Sequence, residues 1–361
     1  MRNLLALAAM MAATSAAAQD TVVDSAARAE VHLLPLHIGG RVRPEATGYS
    51  YQWPAVYFEA NFAGQAATLL FDDDANNFNV IVDGKLLMIV RKPGHRAITI
   101  ETEDAKIHTI RLEKRSETQY ATGRFLGILA VAAPPQPRPS RQIEFVGDSL
   151  TVGYGNTSAF ITCTPDEIFE TTDAQQGFGP IVAKHFGADY QINAFSGLGL
   201  VRNYDGREHP KYHMPMLYDR AIFDDPTPAD LSQWHPQVVA IGIGGNDFST
   251  PLRADEAWKT QAELRADYEK AYVALVRKIR ARNPHAFILL AVADRRGDYT
   301  DGTLSVLKTL KDSGEKRIDR VTIPETANTG CNGHPNIRDD ANIAAMYTAY
   351  LNAHPDLWQD H

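Results

Sequence analysis

Gln142-Ile-Glu-Phe-Val-Gly-Asp-Ser-Leu-Thr-Val-Gly-Tyr-Gly-Asn156 is the stretch on which the fold turns. Its opening run, Ile143 to Val146, is short, mainly apolar and reads as a buried strand. The run breaks at Gly147-Asp148-Ser149. A Ser placed where a strand ends and the chain turns exposes its hydroxyl at the carboxyl edge of a parallel sheet, where open α/β folds keep their sites. Gly147 reads as the residue that allows the tight turn, because Gly tolerates unusual backbone angles cheaply. Asp148 reads as structural, holding this turn through backbone hydrogen bonds. Alone the tripeptide says little, since Asp and Ser are common turn and cap residues.

The pattern after this stretch alternates strand with helix. Strands are expected at 142–146, 189–195, 237–243, 286–293 and 318–323, and helices near 176–186, 254–283, 303–312 and 339–352. The longest helix carries Leu264, Tyr268, Ala271, Tyr272, Leu275, Val276 and Ile279 at helical spacing, which is a core face. Strands separated by helices imply right-handed crossovers and a doubly wound parallel α/β sheet with helices on both faces, over 142–361.

Before it the pattern differs. Ala55 to Phe62, Ala67 to Phe71, Phe78 to Val82, Lys85 to Val90, Arg96 to Glu101 and Ile107 to Leu112 are short β-forming runs. Asp83-Gly84 between two of them is a two-residue hairpin signal. Residues 30–132 are therefore read as a small jelly-roll-like β-sandwich of about one hundred residues. Tyr49, Tyr51 and Trp53 offer either a sugar platform or packing at the domain interface, the second being the better reading. Ala132-Ala-Pro-Pro-Gln-Pro-Arg-Pro-Ser140 holds four prolines in nine residues, so 133–141 is read as a stiff, extended linker.

The ends and the composition bound the setting. Met1-Arg2-Asn3 is a positive start, Leu4 to Ala13 an apolar run too short to span a bilayer, and Ala16-Ala17-Ala18 a small-residue cleavage site. Residues 1–18 thus read as a signal peptide, and the mature protein as secreted or periplasmic. The 361-residue chain carries a net charge of −8 and no Lys/Arg-rich block, so neither nucleic acid nor an anionic membrane surface is an expected partner. Two cysteines, Cys163 and Cys331, permit a disulfide in an exported chain; two buried free thiols are the alternative. No Cys/His spacing suits a metal.

Three further pieces fall at strand ends or loops: Ser196-Gly197 after the second strand, Gly244-Gly245-Asn246-Asp247 after the third, and Gly330-Cys-Asn-Gly-His334-Pro335 before the last helix. A Ser, a Gly amide, an Asn amide and a His are what acyl transfer needs. The His takes the proton from a hydroxyl that is otherwise a poor nucleophile. The tetrahedral oxyanion needs donors already in place, and the candidates are the Ser149 and Gly197 backbone N–H groups and the Asn246 side chain. His185, His209, His213 and His235 belong to no motif and read as surface or packing residues.

These four blocks, in this order, resemble those of the SGNH, or GDSL-type, hydrolases. The two-domain layout, with Tyr154-Gly155-Asn156, Arg202-Asn203-Tyr204 and Phe248-Ser249-Thr250, looks more narrowly like carbohydrate esterase family 2. The resemblance implies removal of acetyl groups from polysaccharides or oligosaccharides, often at O6, without metal or cofactor. It carries over Ser149 as nucleophile, His334 as base, and Ser149, Gly197 and Asn246 as oxyanion hole. Arg202, Asn203 and Tyr204 are read as contacts to sugar hydroxyls or as pins for a loop. Nothing in the chain fixes an oligomeric state.

The chain also departs from the pattern. SGNH enzymes commonly place an Asp three residues before the His, and Cys331 stands there. Asn332 and Gly333 occupy positions where family members often have Asp and Trp, and Gly245 one where they usually have Thr. With no carboxylate just before His334, a backbone carbonyl is left to accept its Nδ1–H, giving a Ser-His dyad. Two other readings stand beside this one: an SGNH lipase, thioesterase or cell-wall esterase, and a carbohydrate-binding relative that has lost catalysis.

Overall fold

The computed structural model describes residues 30–359, so the signal-peptide reading lies outside the described residues. Residues from Val31 onward form one compact unit.

The N-terminal part is antiparallel: β1 (Val31–Leu33), β2 (His37–Gly39), β3 (Arg43–Pro44), β4 (Tyr49–Tyr51), β5 (Tyr57–Asp73), β6 (Asn77–Val82), β7 (Lys85–Arg91), β8 (Gly94–Glu101), β9 (Ile107–Lys114) and β10 (Gly123–Ala132). The strand order is β3-β4-β10-β5-β9-β6-β7, with β1 on β10 and both β2 and β8 on β5. Sequence periodicity divides 55–71 into two runs, but the chain runs through as one 17-residue strand. Its first half pairs with β9 and its second with β8. Gly64, at φ +92°, sits between the halves, where the pairing with β10 jumps register. A Gly there makes a bulge rather than a turn. Asp83 and Gly84, both at positive φ, close the β6–β7 hairpin as their dipeptide predicts. Phe58, Phe62, Phe71, Phe78 and Phe125 fill the core between layers.

The second part contains β11 (Arg141–Gly147), α1 (Ser149–Val152), α2 (Pro165–Thr171), α3 (Phe178–His185), β12 (Ala188–Ala194), α4 (Met214–Leu217), β13 (Val238–Gly242), α5 (Gln261–Arg282), β14 (Phe287–Ala293), α6 (Asp298–Asp312), β15 (Ile318–Ile323) and α7 (Ile337–Ala353). Its five strands run parallel in the order β12-β11-β13-β14-β15. Alternate residues of each strand face opposite layers. Val239 and Ile241 meet α5 and α6, whereas Val238 and Ala240 meet the side covered by α3 and α7. The expected long helix starts at Gln261 rather than 254, because the Thr260 hydroxyl accepts from the Glu263 N–H and fixes the N-terminus there.

The strand order reverses direction at β11, which lies between β12 and β13. Connections leave the sheet to opposite sides at such a point and open a crevice at the carboxyl ends. Ser149 follows β11 directly.

The proline-rich residues 133–140 carry no regular structure, yet the parts they join share a buried seam. Arg41 donates to Glu144 (2.9 Å), to Gln191 (2.9 Å) and to the Tyr218 carbonyl, with the Arg41–Glu144 pair wholly buried. Trp53 packs in the α/β core and donates to the Arg220 carbonyl at 2.7 Å. Tyr51 is buried in the β-rich core and donates to Asp73. Neither ring is a sugar platform: both are closed from solvent. Among the described residues no helix is long and apolar enough to cross a membrane.

Candidate active site

Ser149 is the first residue of α1, and Asp148 is its cap, accepting from the Leu150 N–H at 3.2 Å. Gly147 serves differently from the sequence reading. Its φ is not in the left-handed region; instead an added Cβ would lie 2.1 Å from the Thr151 hydroxyl and 2.8 Å from the Gly242 carbonyl. Close approach, not an unusual angle, demands Gly there.

His334 comes from the other side of the site, at the end of the short turn Cys331–Gly333. Its Nε2 is 2.8 Å from the Ser149 Oγ, and its Nδ1 is 3.0 Å from the Cys331 carbonyl oxygen. A carbonyl only accepts, so Nδ1 carries the proton and Nε2 is left to accept from the Ser149 hydroxyl. The turn depends on Asn332 at φ +53° and Gly333 at φ +75°. It is tied down by a disulfide between Cys163 and Cys331. The Tyr154 ring lies 4.4 Å from the His334 ring, centre to centre, and the Tyr154 hydroxyl accepts from Asn332. Burial pushes the His334 pKa below its ordinary value, against the opposing pull of the Cys331 and Asn332 backbone.

Neither the Ser149 nor the Gly197 backbone N–H has a protein acceptor among the described residues. Gly197 sits at φ +84°, and a Cβ there would meet Glu208 and His209 rather than an incoming acyl group. The Asn246 side chain is buried; its amide donates to the Leu198 carbonyl at 2.8 Å and reaches Asp148 Oδ2 at 3.3 Å. Burial raises the Asp148 pKa to about 7, and the Asp247 carboxylate adds to the effect. Asp247 accepts from the backbone N–H groups of Leu200, Val201 and Arg202 and so shapes the loop after Gly197.

Arg202 and Asn203 are buried and spent on protein partners. The Arg202 guanidinium holds Glu256, Thr250 and the Asp247 and Pro251 carbonyls. Asn203 holds the Gly199 N–H and the carbonyls of Glu208, His209 and Tyr212. These two side chains pin the loop, whereas Tyr204 is half exposed.

A cavity of about 550 Å³ opens from Ser149, Asn246 and His334 toward the loops after β14 and β15, where Arg295, Tyr299 and Glu325 line it. The sequence reading did not single out that wall. Position alone was the available signal, because each of these loops leaves the carboxyl end of a strand. His209, one of the histidines expected on the surface or in packing, packs on Phe195, stands against Gly197 and bonds Tyr120. Among the described residues, no cluster of His, Cys, Asp or Glu has a geometry suited to a metal.

A Ser–His pair at the switch point of a parallel sheet, beside two unpaired backbone donors, is an arrangement suited to acyl transfer, and the class is that of the GDSL-type hydrolases. Residues 145–315 match the family profile described as GDSL-like Lipase/Acylhydrolase family, and residues 38–139 match that described as Carbohydrate esterase 2 N-terminal. The chain is 43% identical over 334 residues to an acetylxylan esterase / glucomannan deacetylase of Cellvibrio japonicus, covering 90% of this chain and 92% of that one. A solved carbohydrate esterase, described as displaying divergent catalytic and non-catalytic binding functions, superposes with a TM-score of 0.84 at 42% identity, covering 91% of this chain and all (100%) of that one. A family two carbohydrate esterase from Clostridium thermocellum, solved with cellohexaose, gives a TM-score of 0.77 at 27% identity over 90% of this chain and 100% of that one. This chain belongs to carbohydrate esterase family 2 and is a carboxylic ester hydrolase.

Proposed function

We propose that the protein is an exported esterase that removes O-acetyl groups from a xylan- or mannan-type polysaccharide, using a Ser-His dyad. The observation that carries the reading is the chain of contacts Cys331 C=O, His334 Nδ1–H, His334 Nε2, Ser149 Oγ at the mouth of the cavity. Ser149 Oγ attacks the acetyl carbonyl carbon and passes its proton to His334 Nε2. The negative oxygen is met by the Ser149 and Gly197 N–H groups and by Asn246, whose long contact to Asp148 is the one an oxyanion would displace. As the intermediate collapses, the C–O bond to the sugar breaks and the sugar oxygen takes the proton from Nε2. Water then attacks the acetyl-serine, giving its proton to Nε2; the bond from the acyl carbon to Ser149 Oγ breaks, Oγ takes the proton back from Nε2, and acetate leaves. A carbonyl in the place of the usual Asp still fixes the tautomer, but it brings no negative charge to offset the imidazolium.

The substrate reading draws on the relatives, one an acetylxylan esterase / glucomannan deacetylase, another solved with cellohexaose. Export rests on the three-part N-terminal pattern. The test is acetate release from acetylated glucomannan and xylan beside the cleavage of acetyl and octanoyl model esters. Preference for the long acyl chain, with no acetate from either polysaccharide, sinks the substrate assignment and leaves a lipase or thioesterase.

Two expectations belong to this mechanism. Asn246→Ala lowers kcat by about 10²- to 10³-fold while KM moves little, because the amide acts on charge that exists only in the transition state. Steady-state kinetics on a small acetyl ester check it, and an unchanged kcat removes Asn246 from the oxyanion hole. The pH profile gives the second. A His with a lowered pKa stays neutral, and so basic, to a lower pH; activity therefore persists below pH 6.5 and falls only as His334 protonates. An acid limb of kcat/KM centred near pH 7 instead would assign it to Asp148, which burial places at about 7.

A further inference from the structure

The loop between β9 and β10 belongs to the β-rich part, yet it ends in the active site. Glu117 Oε1 accepts the Ser196 backbone N–H at 2.8 Å, and its Oε2 accepts the Ser196 hydroxyl at 2.6 Å. Gln119 Nε2 donates to the Ser196 carbonyl at 3.1 Å. Every polar group of Ser196 thus has a partner in this loop, with His209 also bonding its backbone, and the next residue is Gly197. The Gly197 carbonyl is fixed as well, accepting the Tyr204 N–H at 2.9 Å. What remains free is the Gly197 N–H.

The loop has its own anchor. Ser116 and Thr118 flank Glu117, and their hydroxyls both donate to Asn76 Oδ1, at 3.2 and 2.7 Å. Asn76 is buried, and its N–H and side-chain amide both donate to Asp73, which also accepts the Tyr51 hydroxyl. Arg115 bonds Asn79 in the same part and pairs with Asp173 across the seam. A continuous network therefore runs from the β-rich core to the amide beside the nucleophile.

We propose that Glu117 is a positioning residue, through which the β-rich part holds the Gly197 amide of the oxyanion hole in place. On this account the N-terminal part is a structural component of the catalytic site rather than only a surface for sugar. The reason is geometric: an oxyanion donor acts only if aimed beforehand, and misplacement by a fraction of an ångström weakens it. Gly197 sits at φ +84°, a conformation a Gly leaves easily unless its neighbour is fixed. The carboxylate suits the task because it accepts an N–H and an O–H at once, and both bonds are charge-assisted.

The inference rests on Gly197 being an oxyanion donor, and the test separates the two claims. Cleavage of 4-nitrophenyl acetate is measured per active site, with Ser149 titrated to completion by a fluorophosphonate. Glu117→Ala is expected to lower kcat per titrated site by about 10- to 100-fold with KM within about threefold. Glu117→Gln, which still accepts the Ser196 N–H through its amide oxygen, is expected to recover most of the loss. A purely architectural Glu117 would reduce the number of titratable sites and leave kcat per site at the wild-type value, which overturns the proposal. Should Glu117→Ala not fold, Gln119→Ala carries the test in the same way: a drop in kcat per site of about threefold or more supports it, and none overturns it. Full activity in Ser149→Ala would instead bring down the mechanism beneath it.

Discussion

Acetate release from acetylated glucomannan or xylan falls by on the order of 10⁴-fold or more when Ser149 becomes Ala, and by a similar factor in His334→Ala. On the proposed mechanism the two act as a unit. Without the hydroxyl there is no acyl-enzyme, and without the imidazole the hydroxyl keeps its proton at neutral pH. The double variant should therefore be scarcely worse than either single one. Near-additive losses would mean that Ser149 and His334 act in separate steps, despite the 2.8 Å between them. Neither change should disturb the fold, since both side chains lie at the cavity mouth, only partly buried. Retention of polysaccharide binding by the inactive Ser149→Ala protein would separate substrate recognition from catalysis. If Ser149→Ala still releases acetate at the wild-type rate, the nucleophile lies elsewhere.

The second large effect is expected from opening the disulfide. Cys163 and Cys331 are 168 residues apart in sequence, so the bond constrains a long loop of the unfolded chain. In the chain-entropy picture such a closure contributes about 5 kcal/mol, and measured losses on removing native disulfides run at about 2–5 kcal/mol. Here the cost should reach catalysis too, because Cys331 supplies the carbonyl that orients His334. Asn332, next in sequence, also accepts the Cys163 N–H, so both ends of the clasp bear on the histidine loop. Cys163→Ser, which leaves the Cys331 backbone in place, should lower the urea midpoint and reduce kcat well below wild type under conditions where the protein remains folded. Equal kcat in the reduced and oxidised protein would show that the His334 loop holds its shape unaided.

Local pattern explains what was readable. The five parallel strands announce themselves as short β-forming runs alternating with helical ones, and the hairpin at Asp83-Gly84 as a dipeptide with few other uses. Ser149, Gly197, Asn246 and His334 stand out as short motifs at strand ends or loops, so their types and order were visible before their distances. What failed was anything set by a partner distant in sequence. Gly147 is required by Thr151 and Gly242 pressing on it, which no local angle preference reveals. For Arg202 and Asn203 the sequence leaves sugar contact and loop pinning equally open, and only folding brings near the loop that takes up their donors.

The sequence by itself determined the fold class and the reaction class and named the candidate side chains, because periodicity and strand-end motifs are local properties of the chain. Tertiary structure alone decided the rest. It picked out the Cys331 carbonyl as the partner of His334 Nδ1, closed the sugar-platform alternative for Trp53 by burying it, and welded two parts joined by a proline-rich stretch into one unit. It also brought Glu117 to Ser196, 79 residues further along the chain. The physical reason is the same in each case: a hydrogen bond or a packing contact depends on where two groups meet in space, and sequence spacing carries that information only within an element.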